Sequence, residues 1–235
     1  MAVGTSGVDN TVKVVTAYVD LGLTKRPSEQ FHVLGRRLVA CCPNIRVFDN
    51  FPFEDCWTVK DGLAKYPPAN PRAEDRFATT EEHLRSNLIQ HCPVQWVHRA
   101  AAEDPEPDVF VWIGYSVLKQ GDFTGKPVRE ADIQGFLEQV KSYDFKDIPF
   151  PGITAKGPAN PFGDNWRFCG SVVIFPRLYL HQMVRMYQDR LHKFVAKYKA
   201  IPLDLAIWPD VERFLPFRFY QAEYDRTQFT NFPVR

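Results

Sequence analysis

The chain has 235 residues, enough for one sizeable domain with its own core, and its 29 basic and 28 acidic residues leave a net charge of +1. That balance excludes a general electrostatic pull toward nucleic acid or an anionic membrane. No apolar run approaches the roughly 18 residues that a spanning helix needs. Residues 1–10 are small and polar, so a flexible tail is expected there and not a secretory signal. The five cysteines (Cys41, Cys42, Cys56, Cys92 and Cys169) are odd in number and form no CxxC. Reduced, mostly buried thiols and a cytoplasmic location are expected, and a zinc site is disfavoured.

From the N-terminus, Val12 to Asp20 (VKVVTAYVD) reads as a buried strand, rich in Val, Thr and Tyr. Residues 21–28 read as a loop, and Glu29 to Cys41 as a helix with Phe31, Leu34, Leu38 and Val39 at helical spacing. Pro43 and Asn44 end it, and Asn44 to Phe48 (NIRVF) reads as a second strand, ending at Asp49. A β-loop-α-β start of this kind predicts adjacent parallel strands, with a ligand cleft beyond their carboxyl ends. Those ends carry Tyr18, Asp20, Asp49 and Asn50.

Residues 51–79 are loop-rich. Thr80 reads as a helix N-cap with Glu81 and Glu82 in the first turn, and the helix is expected to reach about Cys92, before Pro93. A second helical piece is expected over Val94 to Ala102. Val109 to Ile113 (VFVWI) reads as a central strand, stopping at Gly114-Tyr115-Ser116. Arg129 to Tyr143 reads as an amphipathic helix, and Phe145 to Asp164 as a long Pro/Gly loop, of a length that often serves as a functional lid or substrate loop. Trp166 to Phe175 reads as a further strand with Gly170 inside it, where a glycine marks close approach of backbone or ligand. After Pro176 comes the clearest helix of the chain, with Leu180, Val184, Tyr187, Leu191 and Tyr198 in one stripe. The expected fold is therefore α/β, a single domain with a mixed, mostly parallel central sheet flanked by helices. Nineteen Phe and nineteen Pro fit either ordered loops around a cleft or a loop-rich core.

Several chemistries are disfavoured by absence. There is no GxGxxG after the first strand, no GxxxxGK[ST] and no GxSxG elbow. The six histidines are scattered, which fits surface or satisfied histidines better than ligands.

The opening strand VTAYVDLG, the early Arg-containing helix, a strand ending at Asp49, Trp57 to Lys60 and the VFVWI strand occur in an order that resembles the small GT-A-type nucleotide-sugar glycosyltransferases, especially the HtrL/WlaTC-like group. The segment Phe168-Cys169-Gly170-Ser171 and the stretch around Asp204 resemble that group's late strand and acidic helix. The resemblance spans most of the chain and rests on short motifs. It implies a Rossmann-like donor-binding half over residues 11–118 and an acceptor-side half over 119–235. It also implies a DxD-type clamp in which Mn²⁺ or Mg²⁺ holds the donor diphosphate. Where the group has an Asp after Trp-Ile, this sequence has Gly114, Tyr115 and Ser116, and Asp122 lies several residues downstream. The acidic motif is missing, so no metal ligands are assigned.

A sugar transfer from a nucleotide-sugar donor to a glycan or other hydroxyl acceptor needs a base pocket, charge stabilisation for the leaving diphosphate, and a general base. Thr16, Tyr18, Asp20, Asp49, Gly114 and Tyr115 are candidates for the donor pocket; the plainer reading is strand-end capping. Arg26, Lys60 and Arg85 on the donor side and Arg167 on the acceptor side are candidate cations; each could instead be a solvated surface charge. Asp204 is the candidate base, because its apolar neighbours (Pro202, Leu203, Leu205, Ile207, Trp208) would raise its pKa; the alternative is a helix N-cap. Asp210 and Glu212 stand behind it, and Trp208 and Gly170 complete the acceptor side, with Trp208 equally at home in the core. A non-catalytic nucleotide- or glycan-binding module on the same fold is the alternative. Nucleic acid enters only as the acceptor of a DNA-modifying variant, which the neutral charge disfavours.

Overall fold

The structure is a computed structural model that describes residues 8–22, 28–49, 56–69, 79–118, 127–153, 168–222 and 226–233. Strand β1 (Val12–Tyr18) leads through helix α1 (Ser28–Cys41) into strand β2 (Arg46–Asp49). The short helix α2 (Trp57–Lys60) follows, then α3 (Thr80–Gln90) and α4 (Cys92–Glu103), and then β3 (Val109–Ile113). Helix α5 (Glu130–Lys141), strands β4 (Ile148–Gly152) and β5 (Val172–Pro176) and the long α6 (Arg177–Tyr198) come next. The chain closes with α7 (Trp208–Val211), β6 (Phe217–Gln221) and α8 (Thr227–Thr230).

The central sheet has the order β2-β1-β3-β5. β1 is parallel to both β2 and β3, and β5 is antiparallel to β3. It is a mixed α/β domain, mostly parallel in its sheet. The VFVWI run is the reason β3 is central: all five residues are buried, because helices cover both faces. Alternation along the strands divides the core in two. Val14, Val109, Val111, Ile113, Val172 and Ile174 meet α1, α5 and α8 on one face. Val15, Ala17, Phe110, Trp112, Val173 and Phe175 meet α4, α6 and α7 on the other. Each fully buried aliphatic or aromatic side chain here contributes about 1.5–3 kcal/mol.

Several elements differ from the sequence reading. The loop expected over Phe145 to Asp164 contains β4, which pairs in parallel with β6 as a second, two-stranded sheet. Pro149 and Pro151 disguise it, yet they occupy alternate positions on an edge strand, where a missing N–H costs no ladder bond. Ile148 N–H instead reaches Pro216 O (2.8 Å), and Gly152 O accepts from Ala222 N (2.7 Å). The strand expected from Trp166 begins only at Val172. Residues 168–171 are held as a connector, with Cys169 N–H on Pro151 O and Gly114 N–H on Ser171 O, both 2.8 Å. The cap of α3 is Thr79 and not Thr80: its hydroxyl accepts from Glu82 N–H at 3.1 Å.

The expectation of five reduced thiols is corrected. Cys56 and Cys92 are joined as a disulfide, 36 residues apart with Cα atoms 6.5 Å apart, while Cys41, Cys42 and Cys169 are buried outside any disulfide. No short spacing marks this pair: Cys56 precedes α2 and Cys92 opens α4. Among the described residues no helix is long and apolar enough to cross a membrane.

Candidate functional site

A cavity of about 470 Å³ opens at the carboxyl ends of β1 and β3, where the parallel topology places a ligand cleft. Its rim is built from Tyr18, Asp20, Tyr115 and Ser116. Ser86, Gln90, Pro93 and Trp96 form a wall where α3 passes into α4. Its floor is Gly114, Gly170, Ser171, Asp204 and Leu205.

The rim is aromatic and layered. The Tyr18 ring lies 4.2 Å from the His32 ring and 5.0 Å from the Tyr115 ring. Tyr115 in turn lies against Gly35 of α1, where any Cβ would overlap its ring. Asp20 is exposed and accepts from Gly22 N–H at 2.9 Å, which fixes the turn leaving β1.

The floor is set by one close approach. A Cβ on Gly170 would stand 2.5 Å from Asp204 Oδ2, so only glycine leaves the carboxyl its place. Asp204 opens a single 3-10 turn, Asp204–Ala206, and is 8% exposed. Burial pushes its carboxyl up to about 7, against hydrogen bonds from the backbone of Leu205 and of Asp204 itself that pull it down. An acid poised near neutrality and facing a cavity can take and return a proton at physiological pH.

Behind this floor lies a buried polar chain. Tyr187 of α6 and His91 of the α3–α4 junction are fully enclosed, with Tyr187 Oη 2.7 Å from His91 Nδ1 and His91 Nε2 3.0 Å from Pro202 O. Burial lowers His91 to about 4 and holds Tyr187 well above its ordinary range, with the charge of Asp204 adding to the second effect.

Of the candidates read from sequence, Tyr18, Asp20, Gly114, Tyr115, Gly170 and Asp204 line one cavity. The others lie elsewhere. Thr16 is buried in the sheet, its hydroxyl on Ile113 O at 2.7 Å. Asp49 and Lys60 are exposed away from the cavity, and Arg85 is an exposed partner of Glu81 on α3. Trp208 is 2% exposed and packs among Phe150, Phe175, Tyr187 and Phe217, so it is a core residue and no sugar platform. Asp210 pairs at 3.8 Å with Arg213. Arg26 and Arg167 lie outside the described residues. Sequence reasoning missed Ser86, Gln90 and Trp96, because nothing in a helix pattern shows which residues face a cleft, and it passed over His91 as one of six scattered histidines.

Among the described residues no three His, Cys, Asp or Glu side chains are grouped to hold a metal ion. The two carboxylates lining the cavity, Asp20 and Asp204, sit on rim and floor, and the second is raised toward its neutral form. These residues do not fit a divalent-metal clamp.

The class defined by this geometry is an α/β domain with its cleft at the ends of parallel strands. A solved structure of a glycosyltransferase involved in the glycosylation of the major capsid of PBCV-1 shares that fold, with a TM-score of 0.50 over 91% of this chain and 81% of that one, at 11% identity. No family model and no curated protein matches the chain.

Proposed function

We propose that the chain is a glycosyltransferase, moving a sugar from a nucleotide-sugar donor to a hydroxyl acceptor in this cleft. The observation that carries the reading is Asp204: a buried carboxyl, pushed up to about 7, facing a cavity at the ends of parallel strands. The fold shared with the capsid glycosyltransferase supports it.

In the proposed step Asp204 accepts the proton of the acceptor hydroxyl while the acceptor oxygen bonds to the anomeric carbon. The bond from that carbon to the donor phosphate breaks, and the nucleoside diphosphate leaves with the electron pair. The half spanning 11–118 supplies the donor side: Tyr18 and Tyr115 give the nucleobase an aromatic surface, and Asp20 and Ser116 give it polar edges. The half spanning 119–235 supplies the acceptor side, with Gly170 keeping room for the base. No Lys or Arg lines the described cavity. Arg26 and Arg167 are the proposed cations for the leaving diphosphate. The reaction as proposed uses no metal clamp, and the acceptor is a glycan or other small hydroxyl compound.

The test is thermal stabilisation by a panel of UDP-, GDP-, TDP- and CMP-sugars, with and without Mn²⁺, followed by donor hydrolysis. At least one sugar nucleotide stabilises the chain, and Asp204→Asn still binds it while hydrolysis falls by 10² or more. No stabilisation by any of them, metal present or absent, rejects the reading. Full turnover in Asp204→Asn rejects the base.

A further inference from the structure

We infer that His91 is a positioning residue for Asp204, acting through the Pro202 carbonyl, with the Tyr187 hydroxyl holding the ring in place. The inference rests on the proposed role of Asp204. Its geometry comes from three separate elements. A carbonyl can only accept, so the 3.0 Å contact to Pro202 O places the imidazole proton on Nε2. Nδ1 is then bare and accepts from the Tyr187 hydroxyl at 2.7 Å. A neutral ring satisfies both bonds at once, and full burial holds His91 neutral through the physiological range.

The anchored carbonyl lies two residues before Asp204. One helical turn earlier on α3, the buried Asn87 Nδ2 donates to Ile201 O at 3.1 Å. Two buried polar side chains on one face of the helix thus hold two successive carbonyls. Ile201 is held a second way, by its N–H on Pro67 O at 2.7 Å and its O accepting from Ala69 N–H at 2.8 Å. Pro202 has no N–H to give, so its position depends on the carbonyl that His91 holds. From there the chain turns through Leu203 into the Asp204–Ala206 turn, with the carboxyl against Gly170. An apolar residue at position 91 would leave this carbonyl buried without its donor, and the segment would move toward water.

Among the described residues the group that acts electrically with Asp204 across this interface is Tyr187, neutral at pH 7. Loosening the 202–204 segment therefore changes the hydration of Asp204 and not the charge around it. This separates a positioning role from a general loss of stability.

The experiment is a carboxyl ¹³C NMR titration of Asp204 in the full chain, assigned by its loss in Asp204→Asn. Wild type titrates near 7. His91→Gln, whose amide can donate where Nε2–H does, keeps that midpoint. His91→Leu, folded by circular dichroism and melting cooperatively, moves it down toward 4, and the acid limb of donor hydrolysis moves with it. The same variant loses about tenfold in kcat, with donor KM within twofold. A folded His91→Leu that still titrates near 7 overturns the inference. If that variant does not fold, Tyr187→Phe decides: without the hydroxyl the imidazole is no longer locked and the midpoint falls, whereas an unchanged midpoint is again the overturning result. The titration needs no turnover. A moving midpoint in a protein without transferase activity fails the proposed function and keeps the positioning role, and a fixed midpoint in an active enzyme does the reverse.

Discussion

The rim and the floor of the cleft are built by opposite means. The rim is exposed strand-end chemistry: Asp20 sits in water at the exit of β1, and Tyr18, His32 and Tyr115 layer against the smooth surface that Gly35 leaves on α1. The floor is enclosed: Asp204 is buried, Gly170 is pressed to its carboxyl, and His91 and Tyr187 stand behind it with no exposure at all. A rim of this kind tolerates change and adapts to a ligand. A floor of this kind holds one geometry and shifts the protonation of the group it encloses. Substitutions on the floor should therefore change protonation and turnover, and substitutions on the rim should change affinity.

The largest expected effect is on the pH dependence of stability. Asp204 titrates near 7 when folded and near 3.8 when unfolded, so the folded chain keeps a proton that the unfolded chain releases. Its contribution is fully present below pH 3.8 and is lost as pH rises through 7, by about 4 kcal/mol in all. His91 works in the other direction. Lowered to about 4 from 6.5, it withdraws about 3 kcal/mol as pH falls from 6.5 through 4. Between pH 4 and 6.5 the two slopes offset each other. Asp204→Asn removes one of them: relative to wild type the variant should gain about 3–4 kcal/mol between pH 4 and 7.5 in urea unfolding. A gap that does not change with pH would show a carboxyl exposed to solvent and would erase the distinction between floor and rim.

Next in size is Gly170→Ala. The added methyl would meet Asp204 Oδ2 at 2.5 Å, and the enclosed carboxyl must swing away. Turnover should fall on the order of 10²-fold while the donor still binds, because a displacement of about 1 Å in a reacting group has that cost. Unchanged kcat in Gly170→Ala would show that the carboxyl has room to yield.

The two regions were also unequally legible in the sequence. The Val- and Thr-rich opening strand and the unbroken VFVWI run announce a buried sheet, and the β-loop-α-β start predicts a cleft at the ends of β1 and β2, which the structure moves to the ends of β1 and β3. Tyr18 and Asp20 could be read from that strand end and Tyr115 from the stop after VFVWI, before the fold was known. Asp204 and Gly170 each carried a local signal, an acid among apolar residues and a glycine in a strand-like run, yet neither signal says that the two touch. Partnerships made across 34 residues, or across 111 as for His91 and Pro202, leave no local pattern. The Cys56–Cys92 pairing was hidden for the same reason, and β4 was hidden because prolines on an edge strand look like a loop. Lys60, Arg85 and Asp49 were read as donor-side groups from charge and position in the chain; Lys60 and Arg85 are exposed on α2 and α3, and Asp49 ends the edge strand β2, so none of them lines the cavity.

The smallest effect, and the one that bears most directly on the rim, is expected from Tyr115. Its ring is held on one side by Gly35 and on another by Tyr18, and it faces the cavity without enclosing any titrating group. Tyr115→Ala should weaken sugar-nucleotide binding about tenfold, the lower end of what one aromatic stack contributes to a base, and leave kcat and its pH profile as in wild type. Tyr115→Phe should restore most of the affinity, since the flat surface and not the hydroxyl does the work in this reading. Isothermal titration with the stabilising nucleotide, beside a pH–rate profile, separates the two quantities. A Tyr115→Ala variant that keeps its affinity but loses turnover would place this ring against the reacting sugar and move the boundary between rim and floor to the other side of Tyr115.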